Sequence, residues 1–317
     1  MKLKKLLISS LFFVSSLAVA DPSYRVFVSN EKSNSVSVID SRTGKVEATL
    51  EIGDRPRGLG LSPDRTVLYV ALSEDDAIGM VDVASLEFLG KLQGGSDPET
   101  FAVHPNGNLY LSNEDDAKVT VVNPATGKIV EEIQVGLEPE GVAASPDGTL
   151  VLVTSESTNM VHVIDVAEHK VIANILVGAR PRGLAFNSDG SRAYVSSEIG
   201  NEVAIIDTKT FKIIRKAKID IDKSKPMAIQ ISPDDKTLYM TTGRAAKAVV
   251  LDADTLELKG WADVGKRVWG AALSRDGSRL YTANGVSNTI SVVDTATNKS
   301  IMEIEVGKAP WGVVIDD

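Results

Sequence analysis

The chain of 317 residues contains no cysteine. That absence removes disulfides, thiolate metal sites, thioether-bound haem and a thiol nucleophile together. Histidine is nearly as scarce, at three residues. His104 stands in a tight turn, His162 in an alternating strand and His169 in a strand-to-strand turn, so two of the three are expected to face away from any central funnel. No Gly-x-Ser-x-Gly elbow, paired-His metal motif or Gly-rich phosphate loop occurs. No stretch carries a sustained helical period either.

Positive charge is also in deficit, with 34 Lys+Arg against 43 Asp+Glu. Three of the lysines (Lys2, Lys4, Lys5) precede an uncharged apolar run from Leu6 to Val19, which ends in the small-residue triplet Ala18-Val19-Ala20. This pattern predicts a cleaved secretory signal over 1–20 and a single mature domain over 21–317, placed in the periplasm. The run is too short to serve as a retained membrane anchor. Without the leader, 31 basic residues face 43 acidic ones, a net charge of −12. A field of that sign repels nucleic acid and anionic lipid, so neither a nucleic-acid partner nor membrane insertion is expected. With no covalent staples, stability must come from burial, and we expect a monomer.

What the chain does contain is one unit written seven times. An Asp or Asn closes an alternating apolar strand at Asp40, Asp82, Asn123, Asp165, Asp207, Asp252 and Asp294, at spacings of 42, 41, 42, 42, 45 and 42 residues. A second marker follows at Pro56, Pro98, Pro139, Pro181, Pro226, Val268 and Pro310. Turn sequences such as Ser62-Pro63-Asp64, Ser145-Pro146-Asp147-Gly148 and Thr126-Gly127-Lys128 divide each unit into four short strands rich in β-branched and aromatic residues. Repeated four-stranded units of this length predict an all-β, seven-bladed propeller of antiparallel blades. The C-terminal strand, Trp311 to Asp316, supplies what the N-terminal unit lacks and so closes the ring.

Tyr194-Val195-Ser196-Ser197, Tyr281-Thr282-Ala283-Asn284 and Phe27-Val28-Ser29-Asn30 resemble the Tyr-Val-Thr-Asn signature of the YVTN propeller family. More narrowly, a secreted, cysteine-free, seven-repeat chain is similar to the propellers associated with alcohol catabolism dependent on pyrroloquinoline quinone (PQQ). That resemblance implies an accessory role beside a periplasmic quinoprotein dehydrogenase or a transporter component.

In a propeller the residue after each marker forms a ring at one axial mouth. In blade order the ring reads Trp311, Arg57, Glu99, Glu140, Arg182, Met227, Trp269. Met227, Trp269 and Trp311 form an apolar arc flanked by Arg182 and Arg57, and the positions before the marker add Arg55, Arg180, Lys225 and Arg267. Guanidinium forks suit carboxylates and indole faces suit flat π-systems, so this arc is a candidate site for a flat polycarboxylate, and the resemblance suggests PQQ. The same arginines have a plainer role open to them, pairing with loop glutamates Glu31, Glu74, Glu114, Glu156 and Glu198. Calcium could take Asp97, Glu99, Glu138, Glu140 and the clusters Glu74-Asp75-Asp76 and Glu114-Asp115-Asp116, although no loop fits a twelve-residue calcium template and acidic loop clusters are usually just solvated. Asp220-Ile221-Asp222-Lys223-Ser224, in the enlarged unit, matches only the first half of such a loop.

Three functions stay open at this point. The first is a non-catalytic binding or scaffold module holding an anionic cofactor or docking a partner on the top face. The second is a lactonase using a funnel-bound divalent ion and Glu140 or Glu99 as base. The third is an electron-transfer subunit of a quinoprotein or haem enzyme, weakened by the missing cysteines and poorly placed histidines.

Overall fold

A computed structural model describes residues 19–317; the leader expected over 1–20 lies largely outside them. Among the described residues twenty-eight strands form seven four-stranded antiparallel sheets, and a single short 3-10 turn (Ser73–Asp75) interrupts the strand pattern. Blades 2 to 7 run consecutively along the chain, from the inner strand Pro56–Leu61 of blade 2 to the outer strand Lys299–Glu305 of blade 7. Blade 1 joins the two ends. Its inner strand Pro310–Asp316 pairs antiparallel with Arg25–Asn30, placing Val26 opposite Ile315 and Phe27 opposite Val314. The ring closes as the repeat predicts.

Each part of the repeat has a local cause. The Asp that ends a blade's third strand turns its carboxylate onto the next backbone N–H groups. Asp82 Oδ1 accepts from Ala84 N at 3.0 Å and Ser85 N at 2.7 Å, and Asp207 Oδ1 from Thr210 N at 2.7 Å. This is the turn into the fourth strand. In the Ser-Pro-Asp turns the serine hydroxyl donates to the aspartate two residues on, as in Ser145 to Asp147 at 2.6 Å.

The apolar side chains bury at the seams between blades and form seven clusters, one per seam. Second-strand tyrosines reach across these seams. Tyr194 of blade 5 packs with Ile229 and Met240 of blade 6, and Tyr281 of blade 7 packs with Val26 and Val28 of blade 1. Tyr110 and Tyr194 are almost fully buried. Each blade therefore supplies half of two cores, which is why no blade is stable alone.

Candidate functional site

In all seven blades the pairing of first and second strands breaks register between the marker and the third residue after it, as between Pro139 and Val142 or Pro181 and Leu184. A bulge of this kind re-aims the side chain it contains. Here it contains the ring residue and its small neighbour, so Glu140, Arg182, Met227, Trp269 and Trp311 converge on an axial cavity of about 190 Å³. Deeper in, the cavity is lined by inner-strand residues such as Val142, Leu184, Ile229 and Gln230.

The third residue of the second-strand signature holds five of the seven ring residues in place, alanine standing there before Glu99 and Trp311. Its hydroxyl donates to the carbonyl of the next blade's ring residue: Ser29 to Arg57 at 2.6 Å, Ser112 to Glu140 at 2.7 Å, Thr154 to Arg182 at 3.0 Å and Thr241 to Trp269 at 2.9 Å, with Ser196 likewise on Met227. The same oxygen accepts an inner-strand N–H of its own blade, as Thr154 Oγ1 does from Gly141 at 2.8 Å. Glycine follows the ring residue in five blades because the next inner strand passes against it. A Cβ on Gly141 would strike the Arg182 carbonyl oxygen.

The mouth is electrically divided. Through blades 1 to 5 the arginines are committed to carboxylates. Arg182 Nη1 lies 2.7 Å from Glu140 Oε1, its Nε lies 2.6 Å from Glu156 and 3.4 Å from Glu198, and Arg180 Nε lies 2.7 Å from Glu156. Arg57 contacts Glu99 directly and Glu31 at 3.1 Å, and Arg55 reaches Asp97 at 3.2 Å and Glu31 at 3.4 Å. Burial, reinforced by Glu140, pushes the Glu156 carboxyl up to about 8 against the pull of Arg182 and Arg180. Burial also raises Asp97 and Glu114. For Arg182 burial works toward neutrality, but Glu140, Glu156 and Glu198 outweigh it and hold the guanidinium charged.

Blades 6 and 7 differ. Where blades 1, 3, 4 and 5 place a loop glutamate beside the residue preceding the marker, these carry Gly243 and Gly285, whose N–H groups bond the Lys225 and Arg267 carbonyls at 2.7 and 2.8 Å. A Cβ at Gly285 would meet Trp269 Cδ1 at 2.7 Å, so glycine makes room for the indole. Trp269 and Trp311 stack with ring centroids 6.5 Å apart and planes at 22°, and Arg57, Arg182 and Arg267 lie over their faces at 5.6, 5.6 and 4.3 Å. Among the described residues Arg267, Lys225 and Arg244 make no ion pair.

The expected residues thus come together, with corrections to their roles. Arg55, Arg57, Arg180 and Arg182 do not offer free forks to a polycarboxylate, because loop glutamates already fill them. Glu74 is not one of those glutamates; it is exposed in the 3-10 turn, and Ser73 takes the aligned position, donating to the Pro98 carbonyl at 2.8 Å. The carboxylates that cluster are Asp97, Glu99 and Glu114, with Glu138 and Glu140 outside the group. Arg57 on Glu99 and Arg55 on Asp97 put cations where a metal's charge would stand, so these residues do not fit a resident divalent ion. Asp220 and Asp222 are exposed and belong to no such cluster.

His104 and His162 serve the scaffold. His104 Nδ1 accepts from Asn106 N at 3.1 Å while Nε2 donates to the Gly148 carbonyl at 2.9 Å. Buried His162 accepts from Gly136 N on Nε2 at 2.9 Å and donates from Nδ1 to Asn174 at 2.6 Å, and burial lowers its proton affinity. Gln230 lines the cavity and Arg244 acts electrostatically on Arg267; both stand at offsets from the marker that other blades fill with different residue types, so the repeat gives their positions and only the fold shows their surroundings.

No curated protein matches the chain in sequence. In fold it is similar to hydrazine synthase of Kuenenia stuttgartiensis (22% identity, TM-score 0.80, 90% of this chain and 99% of that one). It is likewise similar to the periplasmic gluconolactonase of Pseudomonas aeruginosa (19%, TM-score 0.76, 93% and 99%). A Bacteroides fragilis protein assigned as a 6-phosphogluconolactonase is a third such structure (21%, TM-score 0.79, 93% and 99%). At these identities the likeness concerns the fold alone. The family model for the seven-bladed β-propeller lactonases matches residues 141–305, just over half of the chain, and the protein belongs to that family.

Proposed function

We propose that this chain is a hydrolase of small lactones, with ring opening at the axial mouth. The observation that carries the reading is the Glu140–Arg182 pair on the cavity wall, facing Met227, Trp269 and Trp311, in a chain of the lactonase family. Glu140 holds Arg182 through Oε1, while its Oε2 makes no hydrogen bond among the described residues. That oxygen is the base. It takes a proton from water as the water oxygen bonds to the lactone carbonyl carbon. The Nη2 hydrogens of Arg182, which have no acceptor among the described residues, face the negative charge that develops on the carbonyl oxygen. The ring C–O bond then breaks, and the proton on Glu140 passes to the departing alkoxide, leaving a hydroxy acid. Two arginine-bound glutamates, Glu156 and Glu198, fix the guanidinium so that it need not reorganise during the reaction.

This reading takes the place of the PQQ accessory role, four of whose expected carboxylate-binding arginines, Arg55, Arg57, Arg180 and Arg182, are occupied. On the strength of the leader we retain the periplasm as the place of action. The test is an acid-release assay of residues 21–317 on aldono-1,4- and 1,5-lactones and on aromatic lactones, with and without a chelator. We expect turnover that survives chelation. Absence of turnover across the panel sinks the proposal, and activity lost to the chelator would replace the Glu140 mechanism with a metal-dependent one.

A further inference from the structure

We infer that Arg267, with Trp269 as its floor and Arg244 adding positive charge, forms an anion subsite on the blade 6–7 rim of the mouth, taking the carboxylate or phosphate group of a small ligand. The inference starts from an electrostatic imbalance. Arg267 is half-buried, lies 4.3 Å over the Trp269 ring and has no carboxylate partner among the described residues. Burial works hardest against its cationic form; of the charged groups around it Glu198 acts most strongly and favours the cation, but Arg244, Arg182 and Arg180 oppose it, and its proton affinity is lowered. Arg182 and Arg180 are neutralised by their glutamates; Arg267 and Arg244 are not.

A half-buried cation facing cations, in a protein whose acidic residues outnumber its basic ones, is unfavourable unless something negative joins it. The sequence around it removes the intramolecular candidates. Gly243 and Gly285 stand where Glu31, Glu114, Glu156 and Glu198 stand in other blades, and each leaves space that its neighbouring ring residue, Met227 or Trp269, fills. The acid is missing, the planar donor is held flat by an aromatic face, and the cavity opens beside it. A planar guanidinium of this kind binds carboxylate or phosphate through paired N–H donors. Trp269 and Trp311 offer the ligand's ring a surface to lie on. Lys225, in the same sector and also without an ion pair, raises the local positive potential.

The subsite does not depend on hydrolysis, so it is tested by binding alone. The mature chain is titrated calorimetrically at low salt with inorganic phosphate, with tartrate and with glucose as a neutral control, while Trp emission is followed. We expect heat and an emission change with one or both anions and none with glucose, with affinity falling as salt rises. Arg267→Met should weaken binding at least tenfold and Arg244→Met several-fold, with melting temperatures near the parent's. Lys209→Met, in the third-to-fourth-strand turn that Asp207 caps, should leave binding unchanged. Preference between phosphate and tartrate identifies the acid group. Absence of anion binding to the parent, or unchanged affinity in Arg267→Met, overturns the subsite whatever the lactone assay shows.

Discussion

Arg182 Nη1 lies 2.7 Å from Glu140 Oε1 across the seam between blades 4 and 5, although 42 residues separate the two along the chain. Each is the ring residue of its blade, and each has its carbonyl clamped by the hydroxyl of the preceding blade, Ser112 for Glu140 and Thr154 for Arg182. The chemistry of the mouth is thus held by hydroxyl-to-carbonyl hydrogen bonds that recur at five of the seven ring residues.

The first prediction concerns that pair. Glu140→Gln keeps the shape and a hydrogen-bonding group but cannot take a proton. We expect kcat to fall by about 10²-fold or more, the usual contribution of a positioned general base, with a small change in KM. Steady-state kinetics on the best lactone of the panel decides it, and a parent-like kcat removes Glu140 as base.

Stability should decline with rising pH because of Glu156. Its folded-state carboxyl titrates at about 8, above the value for an exposed glutamate. Between the unfolded value and 8 the native state therefore binds more protons than the unfolded one, so stability is greatest below the unfolded value and is lost as pH rises toward 8. Glu156→Gln should flatten that part of the melting temperature profile. An unchanged slope would show that the proton resides elsewhere.

The opposite sign holds for the turn aspartates. Hydrogen bonds from Ser85 lower Asp82, and those from Thr210 and Thr297 lower Asp207 and Asp294. Their stabilisation is present above the unfolded carboxylate value and disappears as pH falls through the lowered folded values. Asp207→Asn should make the acid limb of the melting profile shallower, as read by circular dichroism.

Thr154→Val replaces the clamp with a side chain of similar shape and leaves the Arg182 carbonyl without its cross-blade donor. The cost should be about 1–3 kcal/mol, that of an unsatisfied buried polar group, measured by denaturant unfolding. Activity should drop as well if the clamp places Arg182.

Closure can be tested at Asp316. It is buried, accepts Arg65 Nε at 2.6 Å and Ser23 N at 2.6 Å, and so ties the last strand to blade 2 and to the start of blade 1. Asp316→Ala leaves a buried guanidinium unpaired and should cost about 3–5 kcal/mol. Removing residues 310–317 should abolish soluble folding, since blade 1 loses its inner strand and two seam cores lose a wall. A truncated chain that melts cooperatively at the parent temperature would contradict ring closure.

Much of this was legible in the linear chain. The Asp anchors and the marker keep step because each obeys a local rule: a carboxylate capping its own turn, and a bulge beginning two residues before a glycine or other small residue. Local rules repeat when the structure repeats, so seven blades, four strands each, closure by Trp311 to Asp316 and the membership of the ring could all be counted. Glu74 lies one position past the residue aligned with Glu31, Glu114, Glu156 and Glu198, which is Ser73, beside blade 3. Which arginine is free was decided only in three dimensions. Arg182 and Arg267 occupy similar stretches of sequence, but their charges are answered by residues from other loops and other blades. Coulomb energy depends on distance through space and on burial, and neither is a property of the repeat.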